Sequence, residues 1–209
     1  MEGKRVLLVC FNLILGHILS LQKRNDRYLD VFVYDDFIKR EYKKIQKTYD
    51  YTKDTDEDVY LNLLEADKEK YDVIIVDEAQ DFSSVMIETL RMYEKEDGKC
   101  FLFIDENQRV HFPQPYQPEG FQKLFLDVNL RNTQNIFDEV KKHYIQNQAI
   151  TSKGPKGSEI QIESAYQADN AQELFSKLRT KINVLVNDER FKHSDIAIIT
   201  TKSLKKTAL

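Results

Sequence analysis

Short apolar runs alternate along the chain with longer segments in which apolar residues recur at the spacing of a helix turn. The runs predict strands and the longer segments predict helices. Predicted strands occupy residues 4–11, 31–34, 73–76, 100–104, 124–128, 159–164 and 195–200, and predicted helices occupy residues 12–21, 35–47, 56–70, 83–93, 132–144 and 169–186, with Asp35, Asp56 and Asp169 placed as caps. This alternation favours an α/β fold with mainly parallel sheets.

The run at residues 73–76 is unbroken, β-branched and followed directly by two acids, Asp77 and Glu78. A strand that is apolar on both faces suits a parallel sheet with helices on either side. Its acids then lie at the carboxyl end of the strand, where open α/β sheets bind their ligands. Two carboxylates there suit nucleoside triphosphate hydrolysis, with Asp77 holding Mg²⁺ and Glu78 orienting and deprotonating the attacking water. A strand that simply ends in exposed acids is the alternative interpretation.

The longer pattern Asp-Glu-Ala-Gln-Asp at residues 77–81 resembles motif II of superfamily 1 helicases of the UvrD/Rep/PcrA type. Three other segments resemble motifs Ia, III and IV of the same family, in the family's order: residues 6–20, 104–108 and 125–136. The resemblance covers most of residues 4–140. It implies an α/β fold of RecA-like (P-loop NTPase) parallel sheets with flanking helices, in two incomplete domains. These would occupy residues 1–118 and 119–209, joined by a hinge at the proline-rich stretch 109–120.

The resemblance also assigns expected contacts with Mg²⁺ and ATP. Asp77 and Glu78 would hold the metal, Glu78 would activate the water, and Gln108 would sense the γ-phosphate. Gln80 is placed among the nucleotide contacts. Arg131 would reach across the cleft between the domains, where a guanidinium fork can neutralise charge on the phosphoryl oxygens. On the residues alone, Gln108 also fits a polar turn after a strand, and Arg131 fits a surface arginine near a helix N-terminus.

Four further residues are implied to lie along single-stranded DNA. Phe11 would pack against a base or sugar and Asn12 would contact the backbone, while His111 or Phe112 would lie near the DNA. Taken alone, Phe11 is better interpreted as a buried phenylalanine at the end of a strand. Nothing in these residues separates DNA from RNA.

The sequence departs from the family in several ways. No Gly-x-x-x-x-Gly-Lys-Ser/Thr phosphate-binding loop occurs in it, and motifs V and VI are missing. Leu130 stands where the family usually has a tyrosine that stacks on adenine, so adenine selectivity is in doubt. Motifs Ia and II are also too close in sequence for a large inserted subdomain, which favours a compact relative. We therefore expect a piece of an ATP-dependent DNA helicase or translocase that is inactive by itself.

Two other function classes stay open at this point. One is a non-hydrolysing, helicase-like module that binds nucleic acid or protein, which the missing phosphate-binding loop favours. The other is an ATP-driven motor that acts on RNA or remodels protein without unwinding DNA. Comparing the stimulation of ATPase activity by DNA and by RNA would separate the second from a DNA helicase.

Composition adds weaker constraints. The chain is 41% hydrophobic and 32% charged, as is ordinary for a globular protein. Its net charge of −4 shows no basic field that would indicate nucleic acid, although a local basic surface could still bind it. Cys10 and Cys100 lie in apolar runs and are expected to be buried free thiols, with a disulfide or a metal site as the alternative. No stretch has the pattern of a membrane span or a secretory leader, so a cytoplasmic protein is expected.

Overall fold

The structure is a computed structural model of the 209-residue chain. It describes residues 3–23, 26–108, 119–144, 150–161 and 171–199. The chain divides into two compact units, Met1–Gly157 and Ser158–Leu209. Most of the expected hinge lies outside the described residues, so the domain boundary after residue 118 stays a prediction.

The first unit contains a four-stranded sheet in which all strands are parallel. Its strands are β1 (Val6–Cys10), β2 (Leu29–Val33), β3 (Tyr71–Asp77) and β4 (Glu94–Leu102), and their order is β2-β1-β3-β4. The chain moves to one side of β1 to form β2 and to the other side to form β3. The direction of the strand order therefore reverses between β1 and β3. Open α/β sheets bind ligands at the carboxyl ends of their strands at such a switch point.

Helices connect these strands and cover the sheet. They are α1 (Leu13–Gln22), α2 (Tyr34–Lys44), α3 (Asp56–Leu64) and α4 (Ser84–Arg91). Alternate side chains of β1 and β3 join α2, α3 and α4 in one core, because successive side chains of a strand point to opposite faces of the sheet. The fully buried members include Leu7, Val9, Ile74 and Val76 from the strands and Phe37, Ile38, Val59, Leu63, Ile87 and Leu90 from the helices.

The opposite face of the sheet carries α1, which contacts β1 and β2. The helix approaches closely because Gly16 has no side chain. A Cβ at this position would overlap Cγ2 of Val33 and lie 3.2 Å from Sγ of Cys10. This face is less covered over β3 and β4, where Phe101 and Phe103 are 47% and 51% exposed.

A second, smaller sheet also belongs to the first unit. Its parallel strands β5 (Val128–Asn129) and β6 (Thr151–Ser152) are connected through α5 (Gln134–Lys141). The first backbone N–H groups of α5, from Gln134 and Asn135, donate to the carbonyl oxygens of Pro155 and Lys156 at 2.8 and 3.2 Å. The start of this helix is therefore held against the loop that follows β6.

The second unit contains α6 (Ala171–Asn187) and a 3-10 turn at His193–Asp195. Lys181 Nζ donates to Gln161 Oε1 at 2.6 Å, which connects α6 to the chain that precedes it in this unit. In the described parts of both units, no helix combines the length and the hydropathy that crossing a bilayer requires.

The predicted mixed α/β fold with a parallel sheet and flanking helices is confirmed for the first unit. Three strand predictions differ from the structure in their described parts. Residues 124–127 form no strand, and only Val128 of that prediction enters one. The described part of the prediction at 195–200 also forms no strand, and Ile199 is 93% exposed. The prediction at 159–164 is likewise not met in its described part, residues 159–161.

Two of the predicted helix caps also differ from the structure. Asp35 lies inside α2, which begins at Tyr34 without a capping side chain. Asp56 is the first residue of α3, and the cap is Thr55. Thr55 Oγ1 accepts the Asp58 N–H at 3.1 Å while Asp58 Oδ2 accepts the Thr55 N–H at 3.0 Å, a reciprocal pair that satisfies two helix-end donors. Asp169 lies outside the described residues.

Candidate functional site

Three of the sequence-predicted segments meet at one edge of the four-stranded sheet. Cys10 pairs with Asp77 at the ends of β1 and β3, so Phe11 and Asn12 leave the sheet at the same edge as Glu78. On the other side of β3, Val76 pairs with Leu102 of β4. The segment with Asp105 to Gln108 therefore leaves the sheet at the same edge. The strands before the segments that resemble motifs II and III are thus neighbours in the sheet.

The chain turns sharply where β3 ends. Glu78 lies in the left-handed backbone region, with φ 53° and ψ 44°, and a 3-10 turn at Ala79–Asp81 follows. This conformation is uncommon for a residue with a side chain and costs about 1–3 kcal/mol. It is fixed by neighbouring bonds. Glu78 N–H donates to Asp77 Oδ1 at 3.0 Å. Ala79 N–H donates to the carbonyl of Phe103, just after β4, at 2.8 Å.

Gln80 connects the ends of β3 and β4 through its side chain, which is 5% exposed. Its Nε2 donates to Oε2 of Glu78 at 2.6 Å. Its Oε1 accepts the backbone N–H of Asp105 at 2.9 Å. One buried amide thus touches both the expected water-activating carboxylate and the expected phosphate-sensing segment.

Asp105 organises the turn that follows β4. Its Oδ1 accepts the N–H of Asn107 at 3.0 Å, and its Oδ2 accepts Nε2 of Gln108 at 2.7 Å. Gln108 N–H also donates to the Asp105 carbonyl at 3.1 Å. The side chain of Gln108 is therefore held by Asp105 through one N–H of its amide, and the amide has a second N–H that can donate to a phosphate.

Phe11 and Asn12 both have structural partners. The ring of Phe11 packs edge to face on Phe82, with centroids 5.7 Å apart, and Phe11 lies at the margin of the core. Asn12 Oδ1 accepts the N–H groups of Ile14 and Leu15 at 2.9 and 3.1 Å, so it caps α1. These contacts explain both residue types without DNA, and the implied DNA contacts stay predictions.

Arg131 lies between β5 and α5 and is exposed. Its backbone N–H donates to Oδ1 of Asn129 at 3.1 Å. Its guanidinium forms no hydrogen bond or ion pair with another residue in the described part of the chain. Its predicted reach to a phosphate stays a prediction. His111 and Phe112 lie outside the described residues.

The thiol of Cys10 is buried against this edge of the sheet. Burial raises the pKa of Cys10 to about 11, and the nearby carboxylate of Asp77 contributes in the same direction. Burial also raises the pKa of the half-buried Cys100 to about 12, with Glu94 adding to the shift. Both cysteines are free, as predicted. Raised pKa values leave little thiolate at neutral pH, which disfavours them as nucleophiles.

The donor set at the end of β3 suits a magnesium ion. Asp77 and Glu78 provide hard carboxylate oxygens, and Mg²⁺ in nucleotide sites takes one or two carboxylates together with phosphate oxygens and waters. Among the described residues, no group of three or more His, Cys, Asp or Glu side chains is arranged as a complete metal site. Any ion held here therefore needs further ligands from water or from a phosphate.

Sequence reasoning missed the parts played by Asp105 and Gln80. Asp105 received no assignment, and Gln80 was assigned to the nucleotide because it lies within the Asp-Glu-Ala-Gln-Asp pattern. The signal available in the sequence was a glutamine close to an acid at the end of a predicted buried strand. A buried amide beside an acid needs both a donor and an acceptor partner, and the sequence also predicts a polar turn after a second strand, at residues 104–108.

Protein-family models were searched and none matches the chain, and no curated protein matches it either. A functional assignment therefore depends on the geometry of the strand ends and on the motif resemblance.

Proposed function

We propose that the chain is part of an ATP-dependent superfamily 1 DNA helicase or translocase with RecA-like sheets, and that it carries residues that bind Mg²⁺ and the nucleotide. In the complete enzyme, ATP hydrolysis in a cleft between two such domains drives movement along single-stranded DNA. Asp77 holds the metal, Glu78 orients and deprotonates the attacking water, and Gln108 responds to the γ-phosphate. The metal, when bound, neutralises charge on the phosphate oxygens.

One observation carries this proposal. The residues of the motif II and motif III resemblances are far apart in sequence, yet Gln80 joins Glu78 to Asp105 directly at the carboxyl edge of a parallel sheet. The edge is also the switch point between β1 and β3, where α/β sheets bind ligands. The alternative interpretation, a strand that simply ends in exposed acids, explains neither the position at the switch point nor the buried hydrogen bonds of Gln80.

A second candidate function is a non-hydrolysing module that binds nucleic acid or protein. It is favoured by a specific feature of the sequence, the lack of a Gly-x-x-x-x-Gly-Lys-Ser/Thr loop within these 209 residues. Without backbone N–H groups to cradle the phosphates, the carboxylates of Asp77 and Glu78 repel a nucleotide unless Mg²⁺ neutralises them.

The deciding experiment measures Mg-ATP binding by calorimetry and hydrolysis by phosphate release. It compares the 209-residue chain with a version extended upstream to include a phosphate-binding loop. Binding and turnover in the extended version alone would support the helicase proposal and the assigned residues. Failure of both versions would favour the binding module. Adding single-stranded DNA or single-stranded RNA to the active version then shows which nucleic acid stimulates ATP hydrolysis.

A further inference from the structure

The chemistry of the bridge restricts residue 80 to side chains that both donate and accept a hydrogen bond. The carboxylate of Glu78 only accepts hydrogen bonds, whereas the backbone N–H of Asp105 only donates one. The side chain between them must therefore present a donor at one end and an acceptor at the other. A glutamine amide does both, while glutamate has no donor, methionine has neither, and asparagine is one methylene shorter.

The bridge acts on a carboxylate that needs to be held. Glu78 has a flexible side chain on a backbone in the left-handed region. With Oε2 bonded to the buried Gln80, the carboxylate keeps one orientation, and Oε1 is the oxygen without a hydrogen bond to another described residue. One oxygen is thereby left to contact water or a metal ion.

We propose that Gln80 is a positioning residue, which does not contact the nucleotide but holds the Glu78 carboxylate at a fixed place relative to the Asp105–Gln108 turn. Both functional atoms of its amide bond within the protein, and the residue is only 5% exposed. The consequence for catalysis rests on the proposed function. The positioning itself does not, and it is measurable on the chain without any nucleotide.

Amide hydrogen exchange followed by NMR tests the Asp105 half of the bridge. Gln80→Met keeps the approximate volume but removes both hydrogen bonds. We expect the Asp105 amide to exchange at least about threefold faster, as loss of one net hydrogen bond implies. The amides of Ala79 and Phe103, which bond to backbone carbonyls, should keep their rates, and Gln22→Met on the exposed end of α1 should change none of them.

A double-substitution cycle tests the connection to Glu78. Glu78→Ala removes the partner of Nε2, which frees the Gln80 side chain and should speed Asp105 exchange at least about twofold. In the Gln80→Met background the same change should have no further effect at Asp105. If Gln80→Met does not fold, Gln80→Leu replaces it, because that side chain also removes both hydrogen bonds and the same results are then expected.

Three results would overturn the proposal. They are an unchanged Asp105 rate in Gln80→Met, equal acceleration of all sheet amides, and an effect of Glu78→Ala that is the same with and without Gln80. A separate Mg²⁺ titration of the wild-type chain follows the amide signals of Asp77 and Glu78. If these do not respond while the exchange results hold, the proposed magnesium site fails and the positioning by Gln80 stands.

Discussion

At the scale of single residues, the end of β3 combines a strained backbone with an unusually constrained carboxylate. Glu78 is one of three non-glycine residues described with positive φ, and the others, Gln46 and Arg190, lie outside this edge. Strain of this kind persists only where surrounding contacts hold it. The contacts here come from Asp77, Phe103 and Gln80, so the geometry of Glu78 depends on two neighbouring strands.

The first prediction concerns Glu78 in a version of the protein that hydrolyses ATP. Glu78→Gln should keep Mg-ATP binding, because Asp77 still provides a carboxylate, and should lose turnover, because the amide cannot accept a proton from water. Calorimetry and phosphate release measure the two effects separately. Glu65→Gln, on the exposed end of α3, is the control. Unchanged turnover would remove Glu78 from the mechanism.

The second prediction concerns Arg131. In the same active version, Arg131→Ala should slow hydrolysis by roughly 10³-fold or more, as the loss of a charge-stabilising arginine does in phosphoryl transfer. The exposed Arg179 of α6 offers a matched control, since Arg179→Ala removes the same charge elsewhere. A change in hydrolysis of less than about threefold would contradict the assignment of Arg131.

The third prediction concerns the reactivity of the thiols of Cys10 and Cys100. Because the pKa of Cys10 is raised to about 11 and that of Cys100 to about 12, both thiols should react slowly with a disulfide reagent at pH 8. Burying the thiols in neutral form contributes to the free energy of unfolding, and this contribution is at its full value below the unfolded thiol pKa of about 8.5. This contribution is lost as the pH rises toward 11. Denaturant should accelerate the reaction at pH 8, and a fast thiol in the native protein would contradict the burial.

Several residue assignments could be made from sequence because they depend on local order. The acids after residue 76 lie at a strand end simply because the apolar run stops there. The cap role of Asn12 is also local, but an asparagine at the start of a helix fits both a cap and a ligand contact. The bridge of Gln80 could not be predicted in the same way, because Gln80 bonds to Asp105, which only the pairing of β3 with β4 brings close.

At the scale of elements, apolar runs became strands only where another strand was available to pair with them. The apolar run of β1, for example, pairs with β2 on one side and with β3 on the other. The run at 124–126 is 70–85% exposed and forms no strand, because no described neighbour offers a ladder of hydrogen bonds. The spacing of apolar residues indicates whether a segment tends to form a strand. Whether it does so depends on pairing with residues far away in sequence.

The fourth prediction tests the approach of α1 to the sheet. Gly16→Ala should destabilise the protein, because the added methyl group overlaps Val33, and overpacking costs about 1–3 kcal/mol against a gain in helix propensity of about 1 kcal/mol. Urea unfolding measures the change. Val33→Ala should reduce the loss when combined with it, and Ser20→Ala, exposed on the same helix, should be neutral or stabilising.

At the scale of the whole molecule, the strand order is the feature that sequence alone did not predict. The α/β class follows from the alternation of strands and helices, but the position of β1 between β2 and β3 depends on packing across the sheet. The division of the chain is also a global property. The buried apolar side chains of the described residues all precede Ser158.

The fifth prediction follows from that division. A chain of residues 1–157 should unfold cooperatively, with a free energy of unfolding within about 1 kcal/mol of the intact protein, because it keeps the whole described core. Denaturant titration of the two proteins gives the comparison. A chain of residues 1–118 then measures what residues 119–157 contribute and tests the sequence-predicted boundary. Non-cooperative unfolding of residues 1–157 would contradict the division.

The central place of β1 has a consequence for synthesis of the protein. Arg5 N–H, just before β1, donates to Asp72 Oδ2 at 2.8 Å across 67 positions of sequence. At about 5–20 residues per second, the ribosome needs roughly 3 to 13 seconds to make the intervening chain. Until β3 is made, β1 can pair with β2 but not with β3, so the backbone N–H and C=O groups on its β3 side lack the partners they have in the finished sheet. A strand inside the finished sheet thus spends part of synthesis as an edge strand, which newly made protein must keep from pairing with other chains.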